Sequence, residues 1–166
     1  MGRLSPRYRL NMRSILMGGG ICSATALSVR IFSTEPYYVW RLISSSAGFP
    51  PLWLSSLLWL AVNFLTGALL GHILSGRLRA GRACAVFRGG IYLVLSLTAG
   101  LMWYCLLFGG RSFVFSLLLV LAACAMAGLC GVCLWECERL AAVVSFVLAV
   151  WYLLVFLGQM RAVLFS

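Results

Sequence analysis

The sequence predicts an all-α integral membrane protein, a bundle of five transmembrane helices, and three observations lead to this prediction. First, 63% of the 166 residues are hydrophobic and only 10% are charged, whereas about a quarter of an average soluble domain is charged. Second, the apolar residues form five runs, each long enough to cross a bilayer as a helix of about 20 residues. Third, the period-two alternation that a transmembrane β-barrel requires is absent.

Each apolar run predicts one span, and together the spans fill a single membrane domain over residues 1–166. In chain order the predicted spans are 14–32, 51–75, 90–109, 112–135 and 140–160. The first follows four arginines, as in a signal peptide, but no small-x-small cleavage site comes after it, so we expect it to be retained. The second opens at Pro50-Pro51, which the first turn of a helix tolerates because the missing donors have no partner there.

The last three spans are separated by short links that contain glycine or charged residues. Gly109 and Gly110 end the third span, and the fourth and fifth are separated by a link that contains two glutamates and an arginine. Small residues recur at every fourth position in two spans, as Gly67, Gly71 and Ser75, and as Ala123, Ala127 and Gly131. Such stripes predict close helix packing, either within one chain or between two chains.

The arginines predict the orientation of the chain. All 13 basic residues are arginines, and the positive-inside rule favours the arrangement with most of them on the cytoplasmic side. That arrangement has the N-terminus inside and the C-terminus outside. Because the arginines lie in short links, the net charge of +10 indicates topology and contact with anionic lipids of the bilayer, and no nucleic-acid partner is expected.

The cysteines in the fourth span offer little for metal chemistry. Cys130, Cys133 and Cys137 share one helical face, and thiolates bind soft metals. A tetrahedral site needs a fourth ligand, however, and three ligands on one helix rarely complete one. We therefore predict no metal site and assign no cofactor.

The few ionisable side chains favour structural roles. His72 is the only histidine, and we expect it to bond a neighbouring helix. Glu136, Glu138 and Arg139 lie in the link between spans four and five, where a solvated pair of opposite charges three residues apart is expected. No carboxylate lies in the middle of a span, which argues against ion-coupled transport, because such transport commonly uses intramembrane carboxylates.

Uncharged polar residues and tryptophans remain inside the spans. Weak polar groups such as Asn63 and Gln159, placed among flat rings such as Trp59 and Trp151, suit a large planar ligand better than an ion. The alternative is that each polar side chain bonds its own helix and each tryptophan only packs.

Several of these residues stand in a recognisable pattern. Pro50-Pro51-Leu52-Trp53 is followed by Trp59 and Gly67, the third span ends in Trp103 and Leu107-Phe108-Gly109, and the fifth opens with Leu140-Ala141-Ala142 and carries Trp151. In these motifs and their spacing the chain resembles the TspO/MBR family, the tryptophan-rich sensory proteins and translocator proteins. These are five-helix membrane proteins of about this length.

The resemblance implies a function and a set of site residues. It implies a homodimeric receptor in a bacterial cell membrane that binds porphyrins, such as protoporphyrin IX, in a cavity within the helix bundle. Some members of the family promote light-dependent porphyrin breakdown, so an enzymatic activity is left open and no catalytic residue is assigned. The implied ligand-binding residues are Trp59, Trp151, Asn63, Trp53, Gln159, Pro50 and Pro51. A transporter or permease for lipophilic solutes and a purely structural partner of another membrane complex remain as alternatives.

The chain also departs from the family pattern. Asn63 stands where the family has a tyrosine, and Ser96 and Gly100 stand where its third helix has glutamine and asparagine. Gln159 replaces an asparagine. Tyr152 lies too far from Arg161 to form the family's cholesterol-binding pattern, so sterol binding is not carried over from the family.

Overall fold

The computed structural model of the protein describes residues 11–32, 52–75, 83–108 and 112–164. Within these ranges the chain forms no strand and five α-helices, namely α1 (Met12–Phe32), α2 (Leu52–Leu74), α3 (Ala83–Phe108), α4 (Phe113–Trp135) and α5 (Arg139–Leu164). All five are long and apolar enough to cross a membrane. The prediction of an all-α five-helix bundle is confirmed, and the architecture fits a multi-pass integral membrane protein.

Two helix boundaries differ from the predicted spans. The predicted third span begins at Gly90, whereas α3 begins at Ala83 and includes the exposed Arg88. A long arginine side chain can extend from a helix to the membrane surface, so one arginine need not end a span. Helix α5 likewise runs beyond residue 160 to Leu164. Helix α4 begins as predicted, because the Ser112 side chain accepts a hydrogen bond from the Phe115 amide and caps it.

The five helices associate as two groups. Helix α1 packs along α2, and α4 packs along both α3 and α5. Helix α2 contacts α3 and α5 over shorter stretches. We call α1 and α2 the helix pair, and α3, α4 and α5 the helix trio. Many large apolar side chains on the outer faces of both groups are exposed, as expected for helices whose outer faces contact lipid.

Glycines bring the backbones of the helix pair into direct contact. A Cβ atom added to Gly18 would collide with the carbonyl oxygen of Gly67, and one added to Gly71 would collide with the carbonyl oxygen of Ser14. Small residues allow this close approach and the dispersion contacts that stabilise it. The small-residue stripe predicted in the second span is therefore a packing face, and it packs within one chain.

The stripe of small residues in α4 packs inside the helix trio. The Ser96 hydroxyl of α3 donates a hydrogen bond to the Ala123 carbonyl at 2.9 Å. On the other side of α4, a Cβ atom at Gly131 would lie 2.8 Å from the Phe146 ring of α5. The stripe thus contacts both neighbours of α4, because the trio places that helix in its middle.

The two ends of the bundle carry different side chains. At one end α2 and α4 begin and α3 ends, and Trp59 is the buried ring of α2 nearest that end. We call it the tryptophan end. At the other end α2 and α4 terminate, α3 and α5 begin, and His72 lies in the last turn of α2. We call it the histidine end.

Candidate functional site

An aromatic cluster joins the helix pair to the helix trio at the tryptophan end. The Trp59 ring of α2 stacks on the Tyr104 ring of α3, with centroids 4.3 Å apart and planes 27° from parallel. Tyr104 also contacts the Phe108 ring at 4.4 Å and meets the Trp103 ring edge-on at 6.2 Å. We call Trp59, Trp103, Tyr104 and Phe108 the aromatic cluster. All four are buried, so large rings, and not close backbones, form this contact between α2 and α3.

Two buried polar residues follow Trp59 on the same face of α2. Asn63 and Thr66 lie one and two turns after it. The Asn63 amide donates to the Trp59 carbonyl at 2.8 Å, and the Thr66 hydroxyl donates to the Val62 carbonyl at 2.8 Å. Both side chains therefore donate to carbonyl oxygens of their own helix. This is the alternative considered above for polar residues in the spans.

In the helix trio, buried polar atoms lack hydrogen-bond partners in the described structure. They are the indole Nε1 atoms of Trp103 and Trp151 and both amide atoms of Gln159. Gln159 is only 1% exposed. Leaving a buried polar group unpaired costs about 1–3 kcal/mol. A bound molecule with a polar edge would supply the missing partners.

Helix register places Gln159 close to the aromatic cluster. Helices α3 and α5 run in the same direction, and the Tyr152 side chain of α5 lies against Gly100 of α3. Since both helices advance by about 1.5 Å per residue, Gln159 is roughly level with Leu107, next to Phe108 at the end of α3. The unpaired amide and the cluster thus occupy the same end of the bundle.

Tyr152 fills the space beside Ser96 and Gly100. A Cβ atom at Gly100 would lie 2.6 Å from the Tyr152 hydroxyl and 3.2 Å from its ring, and the hydroxyl lies beside the Ser96 side chain. These are the two positions at which the family that the sequence resembles carries glutamine and asparagine. Here the small side chains of α3 leave room for a tyrosine of α5.

The structure distributes the predicted site residues over several environments. Trp59 and Asn63 are buried on α2, Gln159 is buried on α5, and Trp151 is half-buried on α5. Among the described residues, the ring stacked on Trp59 is that of Tyr104, not that of Trp151. Trp53, at the start of α2, is 64% exposed. Pro50 and Pro51 lie outside the described residues.

Tyr104, the stacking partner of Trp59, was not among the site residues predicted from the sequence. One signal was available, since Tyr104 directly follows Trp103, which was quoted as part of the pattern at the end of the third span. The sequence could not show which of the neighbouring aromatic residues faces α2, because that depends on how α3 is rotated about its axis.

The histidine end holds a buried ion pair between the two helix groups. The Nε2 atom of His72 in α2 lies 2.6 Å from Oε1 of Glu138, and the two side chains are only 11% and 7% exposed. The remaining polar atoms, His72 Nδ1 and Glu138 Oε2, have no hydrogen-bond partner in the described structure. The sequence predicts that His72 bonds a neighbouring helix, and its partner Glu138 lies in the link directly before α5.

Glu138 is buried, although it lies in the link for which a solvated ion pair was predicted. Its backbone amide donates to the Leu134 carbonyl at 2.7 Å, and its carbonyl accepts from the Ala142 amide at 3.0 Å. Glu138 is thereby held between the end of α4 and the first turn of α5 as the link turns back, and its side chain is buried against α2. Glu136 and Arg139 are exposed, as predicted for this link.

The thiols take part in helix packing. The Ser145 hydroxyl of α5 contacts the Cys130 sulfur at 3.3 Å, and the Cys124 thiol lies 3.3 Å from the Ala149 carbonyl. Within residues 11–32, 52–75, 83–108 and 112–164, no three His, Cys, Asp or Glu side chains are grouped so that they could bind a metal ion.

A groove of about 680 Å³ lies at the histidine end, away from the predicted site. Its lining comes from the start of α3, the end of α4, the following link and α5, and includes Cys84, Cys133, Trp135, Glu136, Cys137 and Phe146. Trp135 is 49% exposed there. The groove is thus a second place at which an apolar molecule could bind, and Trp135 distinguishes it from the aromatic cluster.

Comparison with known protein families, with curated proteins and with solved structures finds no significant match.

Proposed function

We propose that this protein is a membrane receptor or sensor that binds porphyrins, or similar planar hydrophobic molecules, at the aromatic cluster. The observation that best supports the proposal is the stacked Trp59–Tyr104 pair, which lies between two helix groups at the end of the bundle that also holds unpaired polar atoms. Stacked rings offer a planar ligand both dispersion contacts and a preferred geometry.

The ligand would insert between Trp59 and Tyr104. Contact with both rings requires their planes to be about 7 Å apart, twice the carbon–carbon contact distance of ~3.5 Å, so α2 and α3 would separate by about 3 Å. The centroids are now 4.3 Å apart. Helix α2 contacts α3 over a short stretch and contacts α1 over a long one, so the helix pair would move as a unit.

The unpaired groups would bind the polar edge of the ligand. A porphyrin carries ring nitrogens and carboxylates, and the Trp103 and Trp151 indoles can donate to such acceptors, while the Gln159 amide can donate and accept. Asn63 would act indirectly, because its amide bonds the Trp59 carbonyl and so fixes the turn that carries the stacking ring.

The resemblance to the TspO/MBR family supports the rest of the proposal. It implies that Trp53, Pro50 and Pro51 stand at the mouth of the site, that the protein is a homodimer in a bacterial cell membrane and that it could promote light-dependent porphyrin breakdown. The arginine distribution supports an inside N-terminus and an outside C-terminus. A reporter-fusion map of the five spans tests this orientation.

The binding test compares tryptophan variants at the two ends of the bundle. Protoporphyrin IX is titrated into detergent-purified protein and followed by its own absorbance, because each substitution also removes tryptophan fluorescence. Trp59→Phe and Trp151→Phe should each weaken binding by about 0.5–1.5 kcal/mol, the energy of one aromatic contact. This corresponds to a change of roughly 2- to 12-fold in Kd.

Trp135→Phe is the matched control, because Trp135 lines the groove at the histidine end and not the aromatic cluster. It should leave the Kd of protoporphyrin IX unchanged. Equal weakening by Trp135→Phe and Trp59→Phe would contradict the proposed site, and weakening by Trp135→Phe alone would move the site to the groove. No binding by the wild-type protein would leave the structural role as the better hypothesis.

A second candidate function, a permease for lipophilic solutes, is favoured by the division into a helix pair and a helix trio. Alternating access requires two rigid groups that rock against each other, and the short contact between pair and trio would allow this. Uptake of a planar cation into proteoliposomes under a pH gradient tests the hypothesis. Binding without uptake would support the receptor.

A further inference from the structure

Both members of the buried His72–Glu138 pair are ionisable, and the pair joins α2 to the residue before α5. Its atoms lie 2.6 Å apart and each side chain is about nine-tenths buried. Ionisable side chains are rarely buried in membrane proteins unless they are paired or bind something. This pair is only half satisfied, since His72 Nδ1 and Glu138 Oε2 have no partner in the described structure.

The pair can exist in three charge states that differ by single protons. A neutral imidazole that donates from Nε2 to a carboxylate gives a net charge of −1. A proton on Nδ1 gives imidazolium and carboxylate, with net charge zero, and a further proton on the carboxylate gives +1. Burial penalises net charge, and the attraction is greatest when both groups are ionised. The zero-charge state therefore holds the two side chains together best.

Other charged side chains at this end do not replace the pair. Near it, the charged residues of the described helices and link are Arg13 of α1, Arg88 of α3, Glu136 of the link and Arg139 of α5. All four are exposed. The titratable thiols there are the exposed Cys84 and the half-buried Cys133 and Cys137. On α2 the Ser75 hydroxyl bonds the His72 carbonyl at 2.7 Å and not its ring.

The position of the pair gives proton binding a structural consequence. His72 belongs to the helix pair, and Glu138 stands at the start of α5 in the helix trio. Contacts between α2 and α5 are short, so this bond is a substantial part of the contact between the two groups at the histidine end. A change in its charge state therefore alters that contact.

We propose that His72 and Glu138 form a proton-binding site that holds the helix pair against the helix trio at the histidine end. With one proton on Nδ1 the pair is neutral overall and the contact is closed. Raising the pH removes that proton, leaves a buried net negative charge and opens the contact. Lowering the pH far enough to protonate the carboxylate also weakens it, so the closed contact prevails at intermediate pH.

The test measures access to Cys137, which directly precedes Glu138 and is half-buried. Full-length protein in detergent is labelled with a maleimide between about pH 5 and about pH 9, the range that covers imidazole titration. Peptide mass spectrometry gives the rates at Cys137 and at the exposed Cys84. Their ratio removes the common rise in thiol reactivity with pH, because Cys84 provides an internal reference.

In the wild-type protein the Cys137/Cys84 ratio should rise at least threefold from about pH 6 to about pH 9, a range chosen to include the pH at which an ordinary imidazole changes charge. His72→Gln keeps an amide donor for the carboxylate but cannot take up the proton, and Glu138→Gln keeps an acceptor without charge. Both variants should give a flat ratio. Glu136→Gln removes a carboxylate from the same link and should keep the wild-type profile.

Two results would overturn the proposal. One is a flat ratio in the wild-type protein, and the other is a wild-type pH profile in both His72→Gln and Glu138→Gln. If Glu138→Gln does not fold, His72→Gln alone decides, because it retains the hydrogen bond. No porphyrin is present in this experiment, so its outcome is independent of the binding test at the aromatic cluster.

Discussion

Helix α2 uses two faces in opposite ways. Toward α1 it presents Gly67 and Gly71, and the backbones touch so closely that a Cβ atom added at either glycine would collide with the backbone of α1. Toward the helix trio it presents large side chains, Trp59 against Tyr104 and His72 against Glu138. The first contact is made by backbones and small residues, whereas the second includes polar side-chain atoms that have no hydrogen-bond partner in the described structure. A contact made by large side chains can reorganise around a ligand or a proton, and one made by backbones cannot.

The largest expected effect comes from breaking the glycine contact. Gly18→Ala puts a methyl group against the Gly67 carbonyl, and because that neighbour is backbone, α1 and α2 must separate. We expect a loss of about 3 kcal/mol or more in the free energy of unfolding, the upper range for overpacking, measured by denaturant titration in mixed micelles. Gly20→Ala is the control, since nothing lies within 4 Å of a Cβ atom there. Equal stability of the two variants would show that the close approach is not essential.

A smaller loss of stability is expected at Gly100, where the nearest atoms belong to a side chain and not to the backbone. Gly100→Ala brings a Cβ atom to 2.6 Å from the Tyr152 hydroxyl, and a tyrosine can shift where a backbone cannot. We expect a loss of about 1–2 kcal/mol, within the usual range for overpacking. Most of this loss should disappear when Tyr152→Phe removes the hydroxyl in the double variant. A double-mutant cycle without coupling would mean that Tyr152 does not lie over Gly100.

The smallest expected change has the opposite sign. Gln159→Met replaces the unpaired amide by an apolar side chain of similar length, so the penalty for burying it disappears and the protein should gain about 1 kcal/mol. Leu157→Met, at an exposed position of the same helix, should change little. The same Gln159→Met protein should bind protoporphyrin IX more weakly than wild type. A loss of stability would instead show that the Gln159 amide has a partner in the free protein.

Much of the fold was predictable because it depends on local composition. Five apolar runs gave five helices, and the Ser112 cap and the end of α4 at Trp135 agree with the predicted fourth span. The start of α3 was misplaced because Arg88 was taken as part of a link, although a helix tolerates an arginine whose side chain extends outward. The small-residue stripes indicated packing faces, but not whether the partner was the same chain or another.

The candidate site was predictable only in part. Trp59, Asn63 and Gln159 are buried as expected for residues of an internal site, and Trp151 is half-buried. The exposure of Trp53 and the stacking of Trp59 on Tyr104 were not anticipated. Both depend on the rotation of α2 and α3 about their axes, and periodicity says little about rotation when a helix is apolar on all sides.

The sequence by itself determined that this chain is apolar enough for a membrane, that it forms helices and where most of them begin and end. Hydropathy and capping depend on residues that are close together in the chain, so the local sequence determines them. Only the tertiary structure decided that Gly67 meets Gly18, that Tyr152 occupies the space beside Gly100 and that Glu138 is buried against His72. These contacts join residues far apart in the chain, and their geometry is fixed only when the helices pack.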